Sequence, residues 1–248
     1  MECRAAAAEA HSPPGEIMIE RILPAHVSVA SRTAMVSEDQ LHPEEELLVV
    51  RAVSRRRREF ATGRSCARSA LASLGVRDYP VTSHPGGAPR WPKGFVGSIS
   101  HCDGYCASAV ASEETIRTIG IDVEPNAPIK PHLVPDIALP SEAEWIAAKP
   151  AGGNRPVHRD RLLFTIKESV YKAWFPLVER WLGFEDAHVE VMGDGTEGEF
   201  IARLLVVGRS LDGEEISEFR GRWMAESGLV FSAIAEPSET RGPLASHS

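Results

Sequence analysis

The chain has 248 residues, of which 43% are apolar, 25% charged and 6% aromatic, and its formal net charge is −8. This is the profile of a globular protein, excludes a fibrous or mostly disordered one, and leaves room for one large domain or two modest ones. The negative charge argues against a nucleic-acid partner, and no apolar run approaches the ~20 residues that cross a bilayer, so no membrane partner is expected.

Met1 to Glu16 mixes alanines with Glu2, Glu9 and His11 and has no basic start followed by an apolar block. It does not read as a secretion signal, which makes a cytoplasmic location the expectation. Residues 1–16 and 236–248 lack periodicity and read as disordered tails. Cys3, Cys66, Cys102 and Cys106 form neither a disulfide scaffold nor a zinc pattern, so they read as buried or idle thiols. Pro43 to Glu46 has the makeup of a first helical turn, and Ser54 to Leu74 of a helix closed by Gly75. Along it Arg57, Arg64 and Arg68 share a face, with Arg56 beside it; this suits a phosphate clamp or a solvated face. Arginines make up 22 of the 27 basic residues, a bias that a GC-rich genome also produces.

Strands are predicted at Gly94 to Ser100, Tyr105 to Ala111 and Thr115 to Val123. Pro125 to Pro156 carries seven prolines and reads as a long loop with at most a short helix around Glu142 to Ala148. A helix from Arg159 to Phe175, stopped by Pro176, leads into strands near Ala187 to Val191, Glu199 to Val207, Glu218 to Glu226 and Leu229 to Ala235. Helix followed by antiparallel strands, twice, predicts an α+β two-lobed pseudo-dimer with a crevice between similar halves. The expected lobes are 17–124 and 157–235, joined by 125–156.

Three segments carry chemistry. In Ile119-Gly-Ile-Asp-Val-Glu124 the strand alternation puts Ile119, Ile121 and Val123 in a core and Gly120, Asp122 and Glu124 on the other face. Two carboxylates there repel unless a cation joins them. Mg²⁺ suits such oxygens, and Gly120 would let a ligand approach; a solvated edge strand has the same pattern. On the second helix Leu163, Ile166, Val170 and Trp174 form an apolar stripe, and Arg161, Thr165, Glu168 and Lys172 a polar one. Glu168 and Lys172 are either a surface ion pair or a third metal ligand with a phosphate-binding lysine. Ser98-Ile-Ser-His101 precedes an Asp103-Gly104 turn that exposes His101, which could donate to a phosphate.

In order, R-R-x-E-F-x-x-x-R, G-x-P-x-W-P, S-x-x-H, G-I-D-x-E, F-x-x-K-E-x-x-Y-K-A-W and W-L-G-F-E-D resemble the Sfp-type 4′-phosphopantetheinyl transferases, in the actinobacterial branch that includes the mycobacterial enzyme. The resemblance spans roughly Val53 to Ala235. It implies an enzyme that binds coenzyme A with Mg²⁺ in the crevice, moves the 4′-phosphopantetheine arm to a serine of an acyl or peptidyl carrier protein, and releases 3′,5′-ADP. By position Asp122, Glu124 and Glu168 match the metal ligands and Lys172 the pyrophosphate lysine. Arg56, Arg64, Ser100 and His101 match the nucleotide-binding residues, and the pseudo-dimer implies a monomer.

Glu168, or a water beside it, is the expected base for the serine hydroxyl, with Lys167 supporting. The chain departs from the pattern of the family that it resembles at Thr82 to Gly87, which lacks a nucleotide-contacting lysine; His84 or neighbouring arginines would have to compensate. Ile129, Leu133, Val134, Ile137 and Leu139, near Lys130 and Arg155, form the expected carrier-docking surface, or else cover the core of the second lobe. The rival functions are a non-catalytic carrier or coenzyme A binder that has lost a ligand, and another Mg²⁺-dependent phosphoryl-group enzyme.

Overall fold

The computed structural model describes residues 19–85, 87–148, 157–193 and 195–238. A 3-10 turn, Ile19–Ile22, leads to strand β1, Ser28–Arg32, then to the short helix α1, Pro43–Glu46, and the long helix α2, Ser54–Ser73. Strands β2, Phe95–Cys102, β3, Tyr105–Ser112, and β4, Ile116–Pro125, follow. After α3, Val134–Ile137, and α4, Pro140–Ala147, helix α5 spans Arg159–Val178. The chain closes with β5, Ala187–Met192, β6, Glu197–Arg209, β7, Glu215–Glu226, and β8, Leu229–Pro237.

The strands form two antiparallel sheets, ordered β1-β3-β2 and β4-β8-β7-β6-β5. Helix α2 lies close to β3 because its inner face is small: Ala67 and Ala70, with Leu71, pack against Val110. The opposite face of β3 sends Tyr105, Ala107, Ala109 and Ala111 into a shared core with Ile119, Ile121 and Val123 of β4 and Phe231 of β8. On α5, Leu163, Ile166, Val170 and Trp174 are fully buried against the second sheet. The expected apolar stripe and the α+β class are both present.

Several expectations are corrected. Strand β4 pairs with β8, not with β2 or β3, so the sheet boundary does not coincide with the lobe boundary expected at residue 124. Instead β2 and β4 meet at a seam without a ladder, bridged by side chains: Ser98 Oγ accepts from Ile121 N–H and Ser100 Oγ from Val123 N–H, each at 3.2 Å. Pro176 does not stop α5. The ring removes one rung, yet the helix continues to Val178, where Glu179, at φ +52°, donates to Phe175 O at 2.8 Å, and Leu211 N–H caps Leu177 O at 2.9 Å.

The proline-rich connection is more structured than a loop, holding α3 and α4. Its Ile129 and Ile137 are buried in the second core and Val134 packs against them, while Leu133 stays exposed. The expected docking face is thus largely core cover; Arg155, within 149–156, lies outside the described residues. Residues 1–16 also lie outside them, and Glu236 and Pro237 belong to β8 rather than to a tail. Cys66 and Cys106 are buried free thiols and Cys102 is half-buried and free; Cys3 lies outside the described residues. Among the described residues no helix is long and apolar enough to cross a membrane.

Candidate functional site

Gly120 brings strand and helix together. A Cβ there would strike the backbone oxygen of Ser169 and sit 2.8 Å from the Ala173 nitrogen, so β4 and α5 touch backbone to backbone. The expected ligand at Gly120 is in fact this helix. Gly120→Ala should push α5 from β4 at a cost of about 1–3 kcal/mol, read as a lower midpoint in thermal unfolding; an unchanged midpoint would count against the contact.

That approach sets the carboxylates of β4 against Glu168 and Lys172 of α5. Asp122 is buried; its Oδ1 accepts from Lys172 Nζ at 2.7 Å and from Ser100 Oγ at 2.8 Å. Its Oδ2 is buried with no hydrogen-bond partner. Glu124 Oε2 is 3.0 Å from Arg161 Nη1. Glu168 has neither hydrogen bond nor ion pair among the described residues. Burial raises the pKa of both Glu124 and Glu168, and the Asp122 charge raises each further; at Glu124, Arg161 and Lys172 act in the opposite direction. Lys172 also lowers that of Glu168.

Three mutually repelling carboxylates and an orphaned buried oxygen fit a hard divalent cation with oxygen ligands, such as Mg²⁺. The side chains are not drawn into a ready ligand cluster: among the described residues no group of three or more His, Cys, Asp or Glu stands close enough to hold a metal. Lys172 meanwhile occupies part of the space, donating to Asp122 and, at 3.1 Å, to Ile121 O.

Two expected site residues have other work. Lys167 is not free to assist a base, because its ammonium donates to Ile137 O at 2.9 Å, Glu142 Oε2 at 2.7 Å and Phe184 O at 2.7 Å. All three of its protons are used: two tie the connection to α5 and the third ties the Phe184 turn to it. The Ser100 hydroxyl, expected on coenzyme A, is buried and engaged with Asp122 and Val123.

The arginine face is also divided. Arg57 pairs with Glu38 at 2.7 Å and Glu46 at 3.3 Å, and Arg68 pairs with the fully buried Glu45. These two fasten residues 38–46 to α2 and leave the clamp. Glu45 also accepts from His42 N and Val81 N, each at 2.9 Å. Arg64 is buried, stacks over Phe60 at 4.2 Å and donates to Ser83 Oγ at 2.7 Å, but its Nε has no partner. Burial pulls its pKa down to about 10, so an anion beside it would be strongly favoured. In the segment lacking lysine, Ser83 thus meets Arg64, and His84 is engaged through its backbone with Ala88 and Gly87. Arg56 Nη1 lies 3.1 Å from His101 Nε2. Desolvation, then the Arg56 charge, lowers the His101 pKa, so the neutral ring is favoured.

Sequence reasoning missed a cleft of about 200 Å³ beside Glu168, walled by Tyr171, Trp181, Leu182 and Phe184. Trp181 is 73% exposed, and its ring lies 5.0 Å from Tyr171. The W-L-G-F run was the available signal.

The carboxylates of Asp122, Glu124 and Glu168 and the ammonium of Lys172 thus stand beside Arg56 and His101. Residues 44–111 match the 4′-phosphopantetheinyl transferase N-terminal domain and residues 118–204 the 4′-phosphopantetheinyl transferase superfamily. The chain belongs to that superfamily. It is 44% identical over 224 residues to the 4′-phosphopantetheinyl transferase Npt of Nocardia iowensis, covering 88% of this chain and 99% of that one. It is 46% identical over 195 residues to PptT of Mycobacterium tuberculosis (77% and 84% of the two chains) and 48% over 196 residues to Svp of Streptomyces mobaraensis (79% and 78%), both also 4′-phosphopantetheinyl transferases.

Proposed function

We propose that the protein transfers the 4′-phosphopantetheine arm of coenzyme A to a serine of acyl or peptidyl carrier proteins, with Mg²⁺, and releases 3′,5′-ADP. The observation that carries this reading is the unpartnered Asp122 Oδ2, buried beside Glu124, Glu168 and Lys172. Asp122, Glu124 and Glu168 would hold the ion, which supplies charge neutralisation for the pyrophosphate. Lys172, which donates to Asp122 Oδ1, would meet a phosphate oxygen with another of its protons. Arg56, Arg64 and His101 take the nucleotide end, the first and last by turning from each other to the anion. The cleft along Tyr171 and Phe184 gives the arm an apolar path past Glu168. Glu168, unpaired and with its pKa raised, is suited to take the proton of the attacking hydroxyl.

A non-catalytic relative is not favoured, because the three acids and Lys172 are all kept. The reading includes a two-lobed cytoplasmic monomer, without a nucleic-acid or membrane partner. Mass spectrometry of an apo carrier protein incubated with the protein, coenzyme A and Mg²⁺ should show addition of the arm, suppressed by EDTA. An unmodified carrier, across fatty-acid, polyketide and peptide types, would overturn it.

The nucleotide end has its own test. His101→Ala should mainly raise KM for coenzyme A, by the roughly ten- to hundredfold that loss of a charge-assisted hydrogen bond of ~1.5–3 kcal/mol produces. Dephospho-coenzyme A should be discriminated less by the variant than by the parent; equal discrimination would remove His101 from the phosphate site.

A further inference from the structure

The geometry points to Ser100 as a positioning residue for Asp122: its hydroxyl holds Oδ1 so that Oδ2 is presented to the cation. This rests on the metal reading of the carboxylates given above. Ser100 lies on β2 and Asp122 on β4, strands that share no ladder, so nothing in the backbone pairing of either sheet fixes their relative position.

The hydroxyl supplies the missing constraint in two directions. It accepts from Val123 N–H at 3.2 Å, locating the peptide that follows Asp122, and donates its single proton to Asp122 Oδ1 at 2.8 Å. With Lys172 Nζ on the same oxygen at 2.7 Å, the carboxylate is held from two sides through one atom. The other oxygen is left buried and unpartnered. A carboxylate free to rotate would turn Oδ2 toward a donor; this one is restrained from doing so.

Ser98 is a built-in control. It makes the equivalent bridge across the seam, to Ile121 N–H at 3.2 Å, and among the described residues bonds to no carboxylate. A purely structural part for Ser100 predicts that the two serines behave alike. A positioning part predicts that they differ.

The test is the affinity for Mn²⁺, measured by paramagnetic titration, for the parent, Ser100→Ala, Ser100→Cys, Ser98→Ala and Asp122→Asn, alongside coenzyme A affinity in EDTA. Support of a metal ligand by a neighbouring group typically changes metal affinity 10–100-fold. Ser100→Ala and Ser100→Cys should weaken Mn²⁺ binding about tenfold or more, the cysteine because its thiol donates weakly while filling the space. Ser98→Ala should bind Mn²⁺ as the parent does, and coenzyme A affinity in EDTA should stay within about twofold in both Ser100 variants. If Asp122→Asn loses Mn²⁺ while both Ser100 variants retain it, or if Ser98→Ala weakens binding equally, the positioning role is overturned. A loss confined to coenzyme A affinity in EDTA overturns it too, in favour of direct contact with the nucleotide. A parent protein whose Mn²⁺ binding does not respond to Asp122→Asn overturns the metal reading itself, and this inference with it.

Discussion

Asp122→Asn should leave a folded protein that transfers at least about a hundredfold more slowly, the scale of losing one preorganised electrostatic contact in a water-poor site. The amide keeps the shape, and its oxygen still accepts from Ser100, so the seam survives. What disappears is the charge, and with it the only ion-pair partner of Lys172 among the described residues. Glu124→Ala should be milder, because Glu124 already shares its charge with Arg161 and water can replace one ligand of an octahedral ion. The measurement is kcat for carrier modification across a Mg²⁺ titration, with circular dichroism to check the fold. Near-full activity of Asp122→Asn at low Mg²⁺ would take Asp122 out of the site.

Glu142→Ala should be the most damaging change to stability, costing about 3–5 kcal/mol because it strands a buried ammonium. Both side chains of the Glu142–Lys167 pair are 1% exposed. Glu142 also accepts from Leu139 N and from Val189 N, each at 2.7 Å, so its loss leaves two backbone donors unsatisfied. For a chain this size the unfolding midpoint should fall by roughly 6–20 °C.

Burial already pushes the Lys167 pKa down, with Glu142 opposing it, so removing Glu142 should lower it further. The unfolded chain then keeps a proton that the folded one gives up, and stability rises with pH across that window. The deficit of the variant should therefore shrink as pH climbs toward the ordinary lysine range. Adding Lys167→Met should recover part of the loss at neutral pH. A midpoint equal to that of the parent, or a double variant no better than Glu142→Ala, would refute the assignment.

Local patterns were legible where one face of an element meets one core. The alternation of Ile119, Ile121 and Val123, and the stripe of Leu163, Ile166, Val170 and Trp174, give β4 and α5 nearly at their observed limits. Strand β1 was missed, because Ser-Val-Ala-Ser-Arg is short and polar and is defined by its pairing with β3. Sheet membership of β4 was equally hidden, since its choice of β8 over β2 is a long-range decision. The arginine run reads in sequence as either a phosphate clamp or a solvated face. Only the fold reveals that Arg57 and Arg68 meet Glu38, Glu46 and Glu45, leaving Arg56 and Arg64 with capacity for a ligand. Lys167 stands next to Glu168 in sequence, but one step along a helix turns a side chain by about 100°, and it points into the core instead.

The carboxylate of Glu45 takes the N–H of Val81 with one oxygen and Arg68 with the other. Val81 lies two residues before Ser83, which receives Arg64 and pairs with Pro89 across the narrow loop. Glu45 is therefore a tie rod from the rear of α2 to the loop that carries Ser83. Slack introduced at Glu45 should reach the Ser83 hydroxyl, two residues along the backbone from Val81. On the proposed reading, coenzyme A affinity should therefore depend on an anchor that the cofactor need not touch, and natural variation at residues 45 and 68 should track one another for that reason.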